Sequence, residues 1–372
     1  MARNIHPSRL LAAAGLLAFG LAPGRLVPPQ ALAARDAMRS DAINATDYDR
    51  MERGYYEQIL DAGRDPGSHP DADAARHAEA PPFDAGPLAD VVPDARQYVL
   101  KPALSIEHWG VRWSTNTLGM RDREYAAAKP QGTFRVALMG DSITSGWGVD
   151  DGRGYEPILE REWDARSVEG GGPRVEVLNF AVPGHAPGQR WEHARRVALA
   201  TMPDTVIYQA TLADLGWDER RLRVMLPRGQ GWDAPAYRQT LEHAGARPGQ
   251  GSEAYKRLLR PIRIQILEGV YREIVAGCRE KGLSCAWVLI PRVGRPGSRA
   301  EREQMVDLAR AAGFSPVLDL SDVYDGVPPE SIAIKPSDYH PNADGHARLA
   351  RRIDGAIWGH VAARLKDAGG DR

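Results

Sequence analysis

The chain has 372 residues, 43% of them hydrophobic and 26% charged, which is typical of one large or two small soluble globular domains. Its 48 Lys and Arg residues almost balance its 49 Asp and Glu residues, leaving a net charge of −1. This balance excludes an electrostatic basis for binding nucleic acid or an anionic membrane surface, so we expect neither as a partner.

The first 33 residues have the pattern of a secretory signal peptide. Arg3 and Arg9 precede or flank an apolar run over Leu10–Ala22, and Ala31-Leu32-Ala33 offers a cleavage site between small residues. The run is too short for an ordinary transmembrane helix. We therefore expect a secreted or periplasmic protein with no stable membrane insertion after cleavage, with an uncleaved anchor as the alternative.

Residues 34–100 are predicted to be an extension ahead of the main domain, which would occupy 101–372. Apolar residues at helical spacing predict one amphipathic helix over Asp41–Gly63. The following segment, Arg64–Pro93, is rich in Asp, Ala, Pro and Gly and has few large apolar residues, as is typical of a linker.

The segment Tyr98–Tyr125 is too aromatic for a linker. Trp109 and Arg121 lie within it, and both side chains are able to hold a ligand, by stacking on a sugar or by pairing with a carboxylate. Two interpretations stay open for this segment. It forms a wall of the substrate pocket, or it is an edge strand and turn that cover the sheet.

From Gly132 onward, strands and helices alternate. The exception is Leu215–Gln250, which shows no clean period and is predicted to be an insertion of about 215–250 near the carboxyl end of the sheet, shaping the substrate site. The predicted strands are Phe134–Met139, Arg174–Phe180, Thr205–Ala210, Ser284–Ile290 and Ser315–Leu320. The predicted helices are Tyr155–Trp163, Pro187–Thr201, Tyr255–Lys281, Arg302–Ala312 and Ala343–Leu365.

A serine follows the first of these strands directly, in Gly140-Asp141-Ser142. A side chain just beyond the carboxyl end of a parallel strand lies where open α/β sheets bind their ligands. Taken alone, this tripeptide is typical of a turn or a helix cap. Near the other end of the chain, however, one loop contains Asp338 and His340, the carboxylate and the base that a serine nucleophile requires. We therefore predict Ser142 as nucleophile, His340 as base and Asp338 as the acid that orients it.

Three short blocks of this chain resemble those of the SGNH (GDSL-like) hydrolase family. Met139–Thr144 is similar to the family's first block, Asn179–Gly184 to its second and Asp338–Asn342 to its last, and the resemblance extends over Arg112–Leu365. It implies a flavodoxin-like three-layer α/β/α fold with a parallel sheet. It also implies ester hydrolysis or acyl transfer.

The resemblance further implies an oxyanion hole made by the backbone N–H groups of Ser142 and Gly184. The family's third block usually has Asn-Asp after a strand, whereas this chain has Ala213-Asp214, so the amide donor is missing and the oxyanion hole is reduced. We expect Asp214 to face away from the site and to bond within its own loop. The Thr211 hydroxyl is a candidate substitute donor.

Three more polar side chains belong to the predicted site region. Asp141 and His185 are candidate pocket residues, because they are neighbours of Ser142 and Gly184. His346 is the rival imidazole to His340, but its place at the start of the last helix favours a packing role.

The two cysteines, Cys278 and Cys285, have neither the spacing nor the histidine partners of a metal site, and no cofactor is indicated. They form either a short local disulfide, if the compartment is oxidising, or two buried free thiols.

The sequence thus predicts a secreted or periplasmic serine esterase that removes an O-acyl group from a small ester or an acylated carbohydrate. Two alternatives stay open. One is an O-acyltransferase that uses the same residues on an extracellular polysaccharide. The other is a binding protein of this fold with weakened catalysis, which the alanine at position 213 would favour.

Overall fold

The computed structural model describes residues 86–336 and 338–370. The predicted signal peptide, the predicted helix Asp41–Gly63 and most of the predicted linker lie outside the described residues. Within the described part of the chain, no helix is both long enough and apolar enough to cross a membrane.

A five-stranded parallel sheet forms the centre of the domain, with the strand order β6-β5-β7-β8-β9. Almost every residue of the central strands is buried, as expected for a sheet that is covered on both faces. The strands are β5 (Thr133–Met139), β6 (Arg174–Asn179), β7 (Thr205–Ala210), β8 (Ser284–Leu289) and β9 (Val317–Asp319).

Helices cover both faces of this sheet. One hydrophobic core lies between the sheet and helices α1 and α9, and the other lies between the sheet and helices α2 to α7. The helices are α1 (Tyr155–Glu169), α2 (Pro187–His193), α3 (Asp214–Met225), α4 (Pro235–His243), α5 (Ser252–Leu259), α6 (Arg263–Glu280), α7 (Arg299–Ala312), α8 (Pro329–Ile332) and α9 (Ala343–Gly370). The predicted three-layer α/β/α fold is therefore confirmed.

One prediction about helices is wrong. The single helix predicted over Tyr255–Lys281 is divided into α5 and α6 at Pro261, which has no N–H for the helical ladder. The predicted insertion of about 215–250 contains the regular helices α3 and α4, whose side chains are part of the core. The sequence of helix α3 shows no clear apolar periodicity, because several of its buried residues, such as Asp214 and Arg221, are charged.

The domain also begins earlier than predicted. Strands β1 (Ala89–Val91) and β2 (Tyr98–Leu100) form a small antiparallel sheet, and Leu88 and Tyr98 are buried. Residues 86–100 are thus part of the folded domain rather than the end of a linker, because their apolar side chains pack against it.

A second small antiparallel sheet follows, made of β3 (Ser105–His108) and β4 (Val111–Ser114). Its two-residue turn consists of Trp109 and Gly110, both at positive φ. This hairpin is separate from the main sheet, so the edge-strand interpretation of the segment is wrong.

Candidate active site

The nucleophile loop leaves the sheet at the end of β5. The Asp141 side chain accepts a hydrogen bond from Ile143 N at 2.9 Å, and Trp147 N donates to Ser142 O at 2.9 Å, which closes a tight turn around Ser142. Gly140 is required at its start, because a Cβ there would overlap Thr144 Oγ1. The strand and this turn hold the Ser142 backbone fixed.

The structure brings Ser142, His340 and Asp338 together in a hydrogen-bonded chain. The Ser142 Oγ lies 2.7 Å from His340 Nε2, and His340 Nδ1 lies 2.7 Å from Asp338 Oδ1. Since the carboxylate accepts the Nδ1 proton, Nε2 is left as the acceptor for the serine hydroxyl. This is the geometry that a serine nucleophile with a general base needs.

The surroundings of the triad favour a neutral imidazole paired with a charged carboxylate. Burial lowers the pKa of His340 below its ordinary value, against the opposing effect of its hydrogen bond to Asp338. Burial would raise the pKa of Asp338, but the hydrogen bond and charge of His340 outweigh it, so this pKa lies below its usual range. His340 is therefore able to accept a proton at neutral pH.

The two predicted oxyanion donors lie in loops that follow β5 and β6. Gly184 has φ 77°, a conformation that favours glycine. The N–H groups of Ser142 and Gly184 donate to no acceptor among the described residues. Both are thus available to an incoming oxygen.

The resemblance to the family places a side-chain amide at position 213 as a third donor. Ala213 precedes α3 and carries no polar side-chain atom. Thr211 Oγ1 is buried and has no hydrogen-bond partner in the described part of the chain, which leaves its hydroxyl as the candidate replacement.

The Asp214 carboxylate does not bond within its own loop, so that prediction is wrong. Its carboxylate is buried and pairs with Arg190 at 3.1 Å, and it also accepts a hydrogen bond from Tyr208 Oη at 3.1 Å. Burial raises the pKa of Asp214 to about 6, although the charge of Arg190 acts against this.

Arg190 was missed in the sequence because its partners are distant along the chain. Its guanidinium is buried, donates to the carbonyls of His185 and Gln209, and lies 3.6 Å from Asp141 Oδ2. It therefore connects the loops after β5, β6 and β7, which carry the predicted site.

Two candidate pocket residues have structural roles instead. His185 is fully buried, and its ring bonds to Tyr98 O at 3.0 Å. Arg121 is also buried, donates to the backbone carbonyls of Ser145 and Val149, and stacks on Trp113 at 3.9 Å. These contacts do not agree with a pocket role for His185. Arg121 does line a cavity, of about 360 Å³, but Ser142 and His340 do not line it.

Trp109 is connected to the triad through one other aromatic ring, that of Trp147. The Trp147 ring centroid is 6.3 Å from that of His340, and the Trp109 ring centroid is 5.4 Å from that of Trp147. Lys335 Nζ lies 5.0 Å above the Trp109 ring.

His346, the rival imidazole, is not hydrogen-bonded to Ser142. It is buried, and its Nδ1 accepts a hydrogen bond from Tyr155 N at 3.3 Å. Burial lowers the pKa of His346 to about 3. This histidine packs in the core, as its position in the sequence favoured.

Cys278 and Cys285 are both free and buried, which agrees with the second of the two interpretations and not with a disulfide. Burial, followed by the hydrogen bond with Cys278, raises the pKa of the Cys285 thiol well above its ordinary value. The two thiols lie on α6 and β8, where they fill the core as small apolar groups.

A cavity of about 360 Å³ lies on the other side of the nucleophile loop and is not lined by Ser142 or His340. It is lined by the carboxyl groups of Asp122, Glu156 and Glu160, of which Glu156 is buried and the other two are half-buried. Burial and the charge of Glu160 raise the pKa of Asp122 to about 8, and burial and the charge of Asp122 raise that of Glu156 well above its usual range. No group of His, Cys, Asp or Glu among the described residues is arranged to hold a metal ion.

Solved structures of low similarity include several esterases. A two-domain esterase active on acetylated mannans is 16% identical with a TM-score of 0.40, and the match covers 63% of this chain and 50% of that one. The chain thus spans half the length of that esterase. The acetylxylan esterase Axe2 of Geobacillus stearothermophilus is 17% identical over 60% of this chain and 94% of that one, with a TM-score of 0.39. The esterase EstA of Pseudoalteromonas sp. is 10% identical over 61% and 98%, with a TM-score of 0.40.

Comparison with curated proteins gives no match. The sequence model of the GDSL-like lipase/acylhydrolase family, in contrast, matches residues 138–348, which is more than half of the chain and includes Ser142, Gly184 and His340. The chain therefore belongs to the GDSL-like lipase/acylhydrolase family.

Proposed function

We propose that this protein is a serine esterase that hydrolyses an O-acyl ester through an acyl-enzyme on Ser142. The observation that supports this most directly is the continuous hydrogen-bonded chain from Ser142 Oγ through His340 to Asp338, with both links at 2.7 Å. A serine hydroxyl is a weak nucleophile until a base accepts its proton, and this geometry supplies the base.

In the proposed reaction, Ser142 Oγ attacks the ester carbonyl while its proton passes to His340 Nε2. Asp338 stabilises the imidazolium, and the N–H groups of Ser142 and Gly184 donate to the oxyanion. Collapse breaks the acyl–oxygen bond, and His340 returns the proton to the leaving alcohol. Water then attacks the acyl-enzyme by the same steps in reverse order, which releases the acid and the free serine.

The experiment that tests this is labelling of the full chain with a fluorophosphonate, followed by mapping of the modified residue. We expect the label on Ser142, and its loss in Ser142→Ala and His340→Ala together with hydrolysis of 4-nitrophenyl acetate. Ser167→Ala is the matched control, because the hydroxyl of this buried serine donates to Pro173 O at 2.7 Å and is not part of the hydrogen-bonded chain at Ser142. Labelling of another residue, or wild-type rates in either triad variant, would refute the assignment.

We further propose an acylated carbohydrate as the substrate class. The support is the row of rings that leads from His340 through Trp147 to Trp109, which is half-buried at the hairpin tip. Trp109 has φ 55°, an outlier for so bulky a residue, and such strain concentrates at functional sites. The Trp109 indole is separated from His340 by the Trp147 ring, and aromatic rings of this kind stack on sugars.

Trp109→Gly tests the substrate class, since glycine accepts the backbone conformation without strain. We expect the ratio of kcat/KM for an acetylated oligosaccharide to that for 4-nitrophenyl acetate to fall about fivefold to tenfold, the value of one lost aromatic stack. Ala103→Gly is the control for relief of strain, because Ala103 also has positive φ (51°) but is an exposed loop residue. An unchanged ratio in Trp109→Gly would exclude the stacking role.

Acyl transfer to a sugar hydroxyl is the second candidate. His340 is completely buried and Ser142 is only 7% exposed, which limits access of bulk water to the acyl-enzyme. Product analysis with 4-nitrophenyl acetate and a methyl glycoside would separate the two, since transfer yields the acetylated glycoside and hydrolysis yields acetate. Secretion, proposed from the pattern of residues 1–33, is tested by the amino-terminal sequence of the mature protein from its host.

A further inference from the structure

The Gly184 N–H belongs to the peptide unit whose carbonyl is that of Pro183. Tyr98 Oη donates a hydrogen bond to this Pro183 carbonyl at 2.9 Å. Donation to the carbonyl of a peptide polarises the N–H of the same peptide, because hydrogen bonds in a chain strengthen one another. Tyr98 is 1% exposed, and the His185 ring bonds to its backbone carbonyl at 3.0 Å, so the phenol is held in place.

The next peptide unit, which joins Gly184 to His185, is held by a residue that comes later in the sequence. Arg221, on α3, donates through Nη2 to Gly184 O at 2.8 Å. Arg221 is only 7% exposed, so this bond is shielded from water. The two peptide units that flank the Gly184 Cα are therefore each held by one buried side chain, and neither side chain comes from the loop itself.

Helix α3 also bonds to the segment that follows this loop, at the start of α2. Asp218 Oδ1 accepts a hydrogen bond from Gly188 N at 3.0 Å, and Asp214 pairs with Arg190 at 3.1 Å. Asp214, Asp218 and Arg221 follow one another at intervals of four and three residues, which places them on one face of the helix. One face of α3 thus contacts the segment from Gly184 to Arg190, which comprises the loop after β6 and the first residues of α2.

We propose that Tyr98 and Arg221 are positioning residues of the oxyanion hole. Tyr98 polarises and orients the Gly184 N–H, and Arg221 fixes the peptide unit on the other side of the Gly184 Cα. Together they would offset the side-chain amide that position 213 does not supply. This inference rests on the proposed esterase function for its kinetic consequence. Two segments thus support the site from outside the nucleophile, base and acid loops: residues 86–100 through Tyr98, and α3 through Arg221.

Tyr98→Phe removes only the hydroxyl and keeps the packing of the ring. We expect kcat for 4-nitrophenyl acetate to fall about fivefold to tenfold, the effect of one neutral hydrogen bond, with KM little changed. A loss confined to kcat indicates an interaction that strengthens as the oxyanion forms. The matched control is Tyr255→Phe, because buried Tyr255 also donates to a backbone carbonyl, Arg247 O at 2.8 Å, and does not contact the loop.

Arg221 is tested by a pair of variants. Arg221→Met leaves the Gly184 carbonyl without its donor and should lower kcat by a similar factor, whereas Arg221→Lys retains a donor and should recover part of the loss. Tyr98→Phe combined with Arg221→Met should lose less than the product of the two single effects, because both act on one glycine. If Arg221→Met does not fold, Tyr98→Phe and Arg221→Lys still decide the question.

The Gly184 amide proton gives a second measurement that needs no turnover. In ¹⁵N-labelled full chain, we expect its resonance to move upfield in Tyr98→Phe and to stay in place in Tyr255→Phe. Wild-type kcat and an unmoved resonance in Tyr98→Phe would overturn the inference. An inactive wild-type protein whose resonance still moves would instead refute the esterase function and support the positioning role. An inactive protein with an unmoved resonance would refute both.

Discussion

Ala213→Asn should increase turnover, because it would supply the side-chain amide that this chain lacks. One oxyanion donor is generally worth about 10²–10³ in kcat, or roughly 3–4 kcal/mol. The position has room for the larger side chain, since Ala213 is only half-buried. Its backbone is fixed on the following side by the ion pair of Asp214 with Arg190. We therefore expect a gain of at least about tenfold in kcat for 4-nitrophenyl acetate, with KM nearly unchanged because the donor acts as charge develops.

Ala213→Asp is the matched control for this variant. Aspartate has almost the same shape as asparagine but offers no N–H and adds a negative charge, so it should lower kcat. A folded Ala213→Asn protein with unchanged or lower kcat would refute the argument and leave Thr211 as the third donor. Thr211→Val then separates the cases. It should abolish most turnover if the buried hydroxyl serves the oxyanion, and otherwise raise the free energy of unfolding by about 1–3 kcal/mol, because the hydroxyl has no partner in the described part of the chain.

Three further predictions concern proton binding and packing near the site. Since burial lowers the pKa of His340 and the neutral imidazole is the base, the acid limb of the kcat/KM profile should have its midpoint below 6.5; a midpoint above 6.5 would contradict this. Glu156 has a raised pKa, so it binds a proton in the folded state that the unfolded chain releases near pH 4.5, and stability is lost as the pH rises through the folded-state pKa. Glu156→Gln should therefore reduce the fall in Tm between pH 5 and pH 8, and an equal fall in both proteins would exclude this. Gly140→Ala should displace the Thr144 side chain, cost about 1–3 kcal/mol of stability and abolish most ester hydrolysis, as measured by urea unfolding and by 4-nitrophenyl acetate turnover; wild-type values in both assays would show that the loop tolerates a Cβ.

The sequence was sufficient to predict the architecture, because the information is local. Each central strand is a short apolar run that ends at a polar or Gly-containing loop, and strand β7 was predicted with its observed bounds, Thr205–Ala210. The residues of the proposed triad were found for the same reason. Ser142 and His340 are 198 positions apart, yet each lies in a short motif at an end of the α/β unit, where such sheets assemble their sites.

Interactions between charged residues that are distant along the chain could not be predicted in this way. Asp214 was assigned to a turn in its own loop because no local signal indicated Arg190, which lies 24 positions earlier. Arg121 was assigned to a pocket because its type suits a carboxylate, but its guanidinium is occupied by backbone carbonyls 24 to 28 positions later. In both cases a buried charge must find a partner, and the sequence does not indicate which one.

The segments that resisted interpretation are the ones that hold the loop after β6. Helix α3 showed no clean period because Asp218 and Arg221 lie on a buried face, where a globular helix usually presents apolar side chains. Tyr98 begins a segment that is too aromatic for a linker, but none of its neighbours in the sequence indicates that its hydroxyl reaches Pro183 O. When a buried polar residue does not fit the sequence pattern of its own segment, its side chain is bonded to a group that is distant along the chain. For Tyr98 and Arg221 the distant group is one of the two peptide units at Gly184. The residues that local patterns did not predict therefore lie around the part of the site where the orientation of a single N–H would govern turnover.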